Sequence, residues 1–428
     1  MKIVAKIFTW AFGLVAIAIA AITVALALPA RLIAVEDSAA PNGAERIASQ
    51  IEQGRYLARA GNCIACHTAA GQAEYAGGRR IGTPFGDVFS SNLTPDESTG
   101  LGRWSRADFW RAMHHGQSRD GRLLYPAFPY THYTRVSRED SDAIYAYLQS
   151  LPAVKQAAHP HELRFPYDTA FALRVWRAIY FKAGEYEADA SRSAQWNRGA
   201  YLVEGLGHCG ACHTVRTSLG GSREASAYAG GPIPTLGWDA LPLVSDTPID
   251  DAQAAQMIEL LHTGTSARDV ASGPMAEVVF HSLQYLDRAD IEAMVDYIRT
   301  LPARPAPEPA AVPRVSERYR KDLMSSGAKL YGQHCAECHG DDGQGRDHAY
   351  PALAGNRLVT APSARNAIRS VLYGGYAPST AAVPRPYGMP PYQHQLTPDE
   401  IAAVLSYVRG SWGNAASAVS AEQVRRQR

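Results

Sequence analysis

Cys63-Ile64-Ala65-Cys66-His67, Cys209-Gly210-Ala211-Cys212-His213 and Cys335-Ala336-Glu337-Cys338-His339 share one pattern, C-x-x-C-H. Two thiols about one helical turn apart can add to the two vinyl groups of a single porphyrin, and the adjacent imidazole then reaches its iron. The chain has six cysteines and these motifs use all of them, so none remains for a structural disulfide. Zinc does not require a histidine directly after each second cysteine, and two pairs sharing an ion would leave a third pair over. A thioredoxin-like pair wants a βαβ context, which the sequence lacks. The expected cofactors are therefore three haem c groups with their iron. They attach through Cys63, Cys66, Cys209, Cys212, Cys335 and Cys338, with His67, His213 and His339 as iron ligands.

The flanks of the motifs repeat as well, which marks an internal repeat at domain scale. A short helical pattern precedes each: Gly54-Arg55-Tyr56-Leu57, Gly199-Ala200-Tyr201-Leu202 and Gly327-Ala328-Lys329-Leu330-Tyr331. A second helix closes each unit, around Ile144 to Leu148, Ile291 to Ile298 and Ile401 to Val408. Start signals stand before these closing helices: Ser137 with Asp140, Asp287 with Asp290, and Thr397 with Glu400, the last followed by Pro398 at the first helical position. Leu151-Pro152 and Leu301-Pro302 stop the first two. Each closing helix carries an equivalent aromatic, Tyr147, Tyr297 or Tyr407. Glycine on one helix and an aromatic on the other allow a close crossing, with the haem supplying apolar surface that a small core lacks. The expected architecture is all-α, with units over residues 46–155, 156–302 (a connecting segment and the second unit) and 314–415.

Bulk properties agree with several domains, since 428 residues suggest two to four. Forty-two basic and forty-one acidic side chains leave a formal charge of +1, which argues against nucleic acid as a partner. Lys2 and Lys6 precede a run from Ile7 to Ala30 without one ionisable side chain, closed by Arg31. That run is long enough to span a bilayer. Residues 1–35 are thus expected to be a membrane anchor or a signal. A retained anchor is favoured, although Ala25-Leu26-Ala27 could serve for cleavage. Either way the positive end stays in the cytoplasm and the remainder is exported.

Pro302, Pro305, Pro307, Pro309 and Pro313 read as a stiff linker between the second and third units. Residues 156–195 include Phe165, Phe171, Trp176, Tyr180 and Phe181, expected to pack against the chain's own domains, with docking or a membrane-interface helix as the rivals. The tail after Trp412 is polar and expected to fray.

Electron transfer requires a sixth iron ligand from elsewhere in the sequence. Met389, in Tyr387-Gly388-Met389-Pro390-Pro391, is the candidate in the third unit, and Met275, in Gly273-Pro274-Met275, is the candidate in the second. Met257 and Met294 lie on helical patterns and read as core. In the first unit the loop Leu124-Tyr125-Pro126-Ala127-Phe128-Pro129-Tyr130-Thr131-His132 has a phenylalanine, which cannot ligate iron. His132 is favoured there, with Met113, His114, His115 or an open position as alternatives. Met113 and both other histidines fall on an expected helix from Ala107 to His115. Histidine ligation would make this the lowest-potential haem.

The run Ser91-Asn92-Leu93-Thr94-Pro95-Asp96, then Thr99-Gly100-Leu101-Gly102-Arg103-Trp104, Asp120-Gly121-Arg122 and the Leu124 to Tyr130 loop resembles the three-haem cytochrome c subunit of bacterial membrane-bound dehydrogenases. The resemblance covers nearly the whole chain after the N-terminal run. It implies three tandem class I cytochrome c-like domains after an N-terminal membrane segment, on the periplasmic side of the bacterial inner membrane. It also implies a large dehydrogenase subunit of PQQ, flavin or molybdenum type as partner, with ubiquinone or another cytochrome as acceptor in a respiratory chain. Met275 and Met389 match the family's axial methionines. Phe128 departs from the methionine often found in the first loop, which leaves that site open and keeps molybdenum-containing aldehyde or heteroaromatic dehydrogenases in view.

The expected function is thus one-electron relay from a partner dehydrogenase. The rival is a haem enzyme of peroxidase-like chemistry with an open first iron. A third reading is a fused subunit of a terminal oxidase. No nucleophile–base pair or phosphate-cradling loop points to substrate turnover by this chain itself. His208 and His334, directly before haem cysteines, are expected not to ligate. Asn92-Leu93-Thr94 fits a glycosylation sequon but reads as a loop turn. Trp104, Trp110 and Trp238 read as packing residues.

Overall fold

Three pairs of crossed helices organise the chain, each pair beside one C-x-x-C-H turn. The computed structural model describes residues 32–244, 247–304, 317–346 and 349–428. The apolar N-terminal run and Pro305, Pro307, Pro309 and Pro313 lie outside the described residues. Among those that are described, no helix is long and apolar enough to cross a membrane.

The first unit has α1 (Ala44–Ala60), α2 (Arg106–His115) and α3 (Arg138–Gln149), and α4 (Ala170–Tyr180) follows in the connecting segment. The second has α5 (Ala194–Tyr201), continued by a π-helical turn Leu202–Leu206, then α6 (Asp251–Thr263), α7 (Pro274–His281) and α8 (Arg288–Arg299). The third has α9 (Glu317–His334), α10 (Arg365–Tyr373), α11 (Pro398–Gly410) and the short α12 (Ala421–Arg425). The fold is mostly helical. The all-α expectation missed short antiparallel pairings in the unit middles: a sheet of β1 (Arg80–Thr83), β2 (Gly86–Phe89) and β3 (Glu162–Leu163), and the pairs β4 (Gly231–Pro232) with β5 (Asp239–Ala240) and β6 (Gly375–Tyr376) with β7 (Gly388–Met389). Their strands are two to four residues long, too short to leave an alternating pattern.

Caps set the helix starts. Ser105 with Asp108 and Thr397 with Glu400 form reciprocal capping boxes, Pro398 occupies the first turn of α11, and the Ser137 side chain accepts from the Asp140 amide. Asp287 differs from expectation and makes no side-chain cap; the neighbouring Asp290 is engaged between units instead.

Helix pairs cross where the sequence places glycine. A Cβ on Gly54 would overlap the Ala143 carbonyl and come 2.9 Å from Tyr147 Cβ. One on Gly199 would overlap the Ala293 carbonyl, and one on Gly327 the Ala403 carbonyl, with Tyr407 Cβ 2.7 Å away. In all three units the backbone of the opening helix therefore rests on the backbone of the closing one, and the obstacle is a carbonyl that has no side-chain freedom to move aside.

The first two pairs share one apolar core, which joins Leu57, Ile144 and Leu148 to Leu202, Leu206, Ile291 and Ile298. Polar contacts at their junction are reciprocal. Tyr56 on α1 donates to Asp290 on α8 (2.7 Å) and accepts from the Asp287 amide (3.0 Å). Tyr201 on α5 donates to Asp140 on α3 (2.5 Å) and accepts from the Ser137 amide (3.2 Å). The residue before each crossing glycine completes the set: Gln53 donates to Asp140 and Arg198 to Asp290.

The third unit has cores of its own around Ile368, Leu372, Ile401 and Leu405 and around Tyr331, Val404 and Val408. It attaches to the second through Asn366, which exchanges two 2.8 Å hydrogen bonds with the Asp239 backbone, and through Asn356 donating to the Arg268 carbonyl. The tail after Trp412 does not fray as expected. Val419 and Val424 are buried, the Val419 amide donates to Ser406, and the buried Arg409 donates to the Ser417 carbonyl. Two apolar residues around a capped turn were enough to dock it, a signal hidden in polar composition.

Substituting Gly199→Ala is expected to destabilise the second unit by about 1–3 kcal/mol, as overpacking does, read as a lower midpoint in thermal unfolding. A pH dependence follows from Asp290. Burial raises its pKa, but hydrogen bonds from Arg198 and Tyr56 outweigh that and leave it below the ordinary value. A depressed folded-state pKa gives stability that is present above the unfolded value of about 3.9 and is lost as pH falls through the folded one. Asp290→Asn should therefore lower the midpoint at neutral pH and flatten its decline below about pH 4.

Candidate functional site

Each C-x-x-C-H motif folds as a single helical turn, within Cys63–His67, Gly210–His213 and Ala336–His339. Asn62 and His208, directly before the first two motifs, adopt positive φ (51° and 37°), which turns the chain sharply into the cysteine pair. None of the six cysteines is paired in a disulfide. Burial pushes the first thiol of each pair up, to about 12 at Cys63 and Cys209 and about 11 at Cys335, while Cys66 and Cys212 sit at the surface.

The three histidines share one geometry. Nδ1 of His67 lies 2.7 Å from the Ser91 carbonyl, Nδ1 of His213 2.7 Å from the Leu241 carbonyl, and Nδ1 of His339 2.9 Å from the Pro351 carbonyl. A carbonyl only accepts, so Nδ1 carries the proton and donates it, and the Nε2 lone pair is left for a metal. Burial pushes all three imidazoles below their ordinary pKa, more than the carbonyl contacts raise them, which favours the neutral ligand form. Paired cysteines beside an imidazole held in the right tautomer are the donor set that haem c needs. Among the described residues no cluster of three or more His, Cys, Asp or Glu offers a competing metal site.

Three arginines, not anticipated from sequence, converge on these turns. Arg79, Arg216 and Arg346 each donate to the carbonyl of the residue before the second cysteine: Ala65, Ala211 (2.6 Å) and Glu337 (2.9 Å). They follow their motifs at three different offsets, so spacing gave no signal. Arg79 also forms a two-pronged ion pair with Glu277 of α7, tying the first turn to the helix that carries Met275.

The axial candidates fall in different settings. Met389 lies in β7, half-buried against the third unit's core, and Met275 lies in the first turn of α7 rather than in a loop, half-buried against the shared core. Met294 is buried and Met257 half-buried, as expected of packing residues. His132 is turned towards the second unit: its Nδ1 lies 3.1 Å from the Glu204 carbonyl and its Cε1 3.1 Å from where a Cβ on Gly210 would stand. Burial, followed by the nearby His208, pushes its pKa down to about 3. On α2, which runs from Arg106 to His115, His114 stacks on Trp110 with centroids 4.4 Å apart and meets His115 edge-on. Met113 is buried in the cluster that holds Ile64 of the first turn, with Tyr75, Phe109 and Tyr133. Phe128 packs on Tyr133, whose hydroxyl donates to the Gly61 carbonyl (2.8 Å) and whose ring meets His208 at 5.5 Å. Asn92 is buried and holds a turn by accepting from Thr94 and donating to Thr99 and Val154.

Comparison with known proteins agrees with this chemistry. The cytochrome c family matches residues 51–152 and 324–412. The chain is 40% identical over 371 residues to a nicotinate dehydrogenase subunit of Pseudomonas putida, covering 85% of this chain and 30% of that one, so it spans under a third of that relative's length. It is 35% identical over 389 residues to the gluconate 2-dehydrogenase cytochrome c subunit of Pantoea cypripedii, covering 87% and 88% of the two chains. It is also 35% identical over 413 residues to the fructose dehydrogenase cytochrome subunit of Gluconobacter japonicus, covering 91% and 84%. With haem c as the group its cysteine pairs take, the chain belongs to the family of cytochrome c subunits of membrane-bound dehydrogenases.

Proposed function

We propose that this electron-transfer subunit relays electrons through three covalent haem c groups from a large dehydrogenase partner to ubiquinone or another respiratory acceptor. The observation that carries the reading is the threefold Nδ1–carbonyl contact, at His67, His213 and His339, each beside a pair of cysteines not joined in a disulfide. The proposed cytochrome c domains span 46–155, 156–302 and 314–415, behind residues 1–35 as anchor or signal, on the periplasmic face of the inner membrane. Identity to the nicotinate dehydrogenase chain, together with Phe128 in the first loop, keeps a dehydrogenase of heteroaromatic substrates among the proposed partners.

Haem, when bound, supplies the one-electron couple. The protein's part is to hold each imidazole in one tautomer, to keep a guanidinium beside each attachment turn, and to present a sixth ligand. Met275 and Met389 are the proposed thioether ligands of the second and third sites. At the first site the candidates are Met113, buried in the same apolar core as Ile64, and His132, whose Nδ1 meets the Glu204 carbonyl.

Purification from membranes with mild detergent tests the relay. A large dehydrogenase subunit with three haems per chain is the expected result; a lone protein whose reduced haem binds carbon monoxide would overturn it. Met389→Ala and Met275→Ala should each abolish one methionine–iron charge-transfer band and lower one potential by ~100 mV, a fraction of the ~0.8 V that axial ligands span. The same loss in Met113→Ala, with no change in His132→Ala, assigns the first site to Met113, and the opposite pattern assigns it to His132.

A further inference from the structure

Helix α4 turns its apolar side outward. Its inner side is fastened to both of the first two units. Arg177 donates to the His115 carbonyl (2.7 Å), Trp176 Nε1 donates to the Leu219 carbonyl (2.9 Å), and the Tyr180 hydroxyl bonds Thr217 (3.0 Å). The opposite side carries Phe171, Val175, Ala178 and Ile179, the spacing of one helical face. Phe171 is 43% and Ile179 58% exposed, and Phe165, just before the helix, is 83% exposed. No residue of α4 is fully buried. An ordinary surface helix does the reverse; a contiguous outward apolar face marks a contact with something outside the chain.

The path of the chain indicates what that is. The uncharged run from Ile7 to Ala30 ends two residues before Leu32, where the described chain begins, and Leu32 is itself 54% exposed. The Ile33 amide donates to Gln117 Oε1 (2.9 Å), and its carbonyl accepts from Arg111 (2.9 Å). Gln117 stands two residues after His115, the residue to which Arg177 of α4 is fastened. The residues that follow the membrane-length run and the outward apolar helix therefore meet one edge of the first unit. Exposed Arg164 and Lys182 flank the helix at its two ends, as cations do around helices that lie in a lipid interface.

We infer that the α4 face, with Phe165, Phe171 and Ile179, rests in the surface of the bilayer as a second membrane contact beside the N-terminal segment. Phenyl and sec-butyl groups enter the acyl boundary, and Arg164 and Lys182 stay among the headgroups. The first unit is then held flat against the lipid, where a single point of attachment would leave it free to turn.

The test uses the full chain with its haems, reconstituted in phosphatidylethanolamine–phosphatidylglycerol vesicles that contain a phospholipid with a photoactivatable diazirine in its acyl chain. After illumination, adducts are mapped by mass spectrometry. Adducts on the peptide spanning 165–181 are expected, with none on peptides of the third unit. Combining Phe171→Glu and Ile179→Glu should remove them while the haem absorbance stays unchanged. Adducts confined to residues 1–31 would overturn the inference. So would the loss of every lipid adduct on 165–181 when the chain is reconstituted in the same vesicles as the intact complex with its large dehydrogenase partner. The wild-type pattern decides even if the double variant fails to fold. Adducts on 165–181 with none on 1–31 would remove the anchor reading and leave this one standing.

Discussion

Everything in this molecule hangs on the contact between a glycine Cα and a carbonyl oxygen, made three times. At Gly54, Gly199 and Gly327 the opening helix lies so close to the closing one that a single methyl group would collide with main chain. A collision with a flexible side chain can be relieved by a rotamer change, but one with a carbonyl inside a helix cannot without breaking that helix. The crossing therefore fixes the angle and register of both helices. That in turn sets where the following turn begins, and so where two thiols and an imidazole are presented. The Nδ1–carbonyl contacts repeat within 0.2 Å of one another because the frame beneath them repeats.

That frame was legible in the sequence because its signals are local. Glycine and an aromatic stand at matching places in all three units, a proline stop follows the closing helix in the first two, and the C-x-x-C-H turns announce themselves. What escaped was the work of residues brought together from afar. Arg79, Arg216 and Arg346 serve one role at three different distances from their motifs, and no periodicity links them. Asp287 looked like a cap, yet the side chain that matters is Asp290, recruited by a tyrosine 234 positions earlier. The tail looked polar because the two valines that dock it are isolated between polar neighbours. His132 stands in a loop, and only the folded chain shows that its Nδ1 meets the Glu204 carbonyl at the seam with the second unit. Loop position says little about direction when an inter-unit surface is near.

The third unit shows how much of the seam is specific. It keeps the glycine crossing but has Lys329 where the others have Tyr56 and Tyr201, and Glu400 where they have Asp140 and Asp290. Glu400 closes a capping box with Thr397, so it is already occupied. Without a tyrosine hydroxyl to donate and a spare carboxylate to accept, the third unit joins by its loops, through Asn356 and Asn366, and keeps separate cores.

The exchange of Tyr56 with Asp290 for Tyr201 with Asp140 has the form of an isologous contact, in which two copies offer each other the same patch. Such a patch is self-complementary and closes once two copies meet, leaving none of it exposed for another. A tandem array built on it must stop at two, and a further copy has to be added through different surface chemistry, as the third unit is. The order of assembly is thereby written into the interface: a dimer made covalent by its connecting segment, then an appendage.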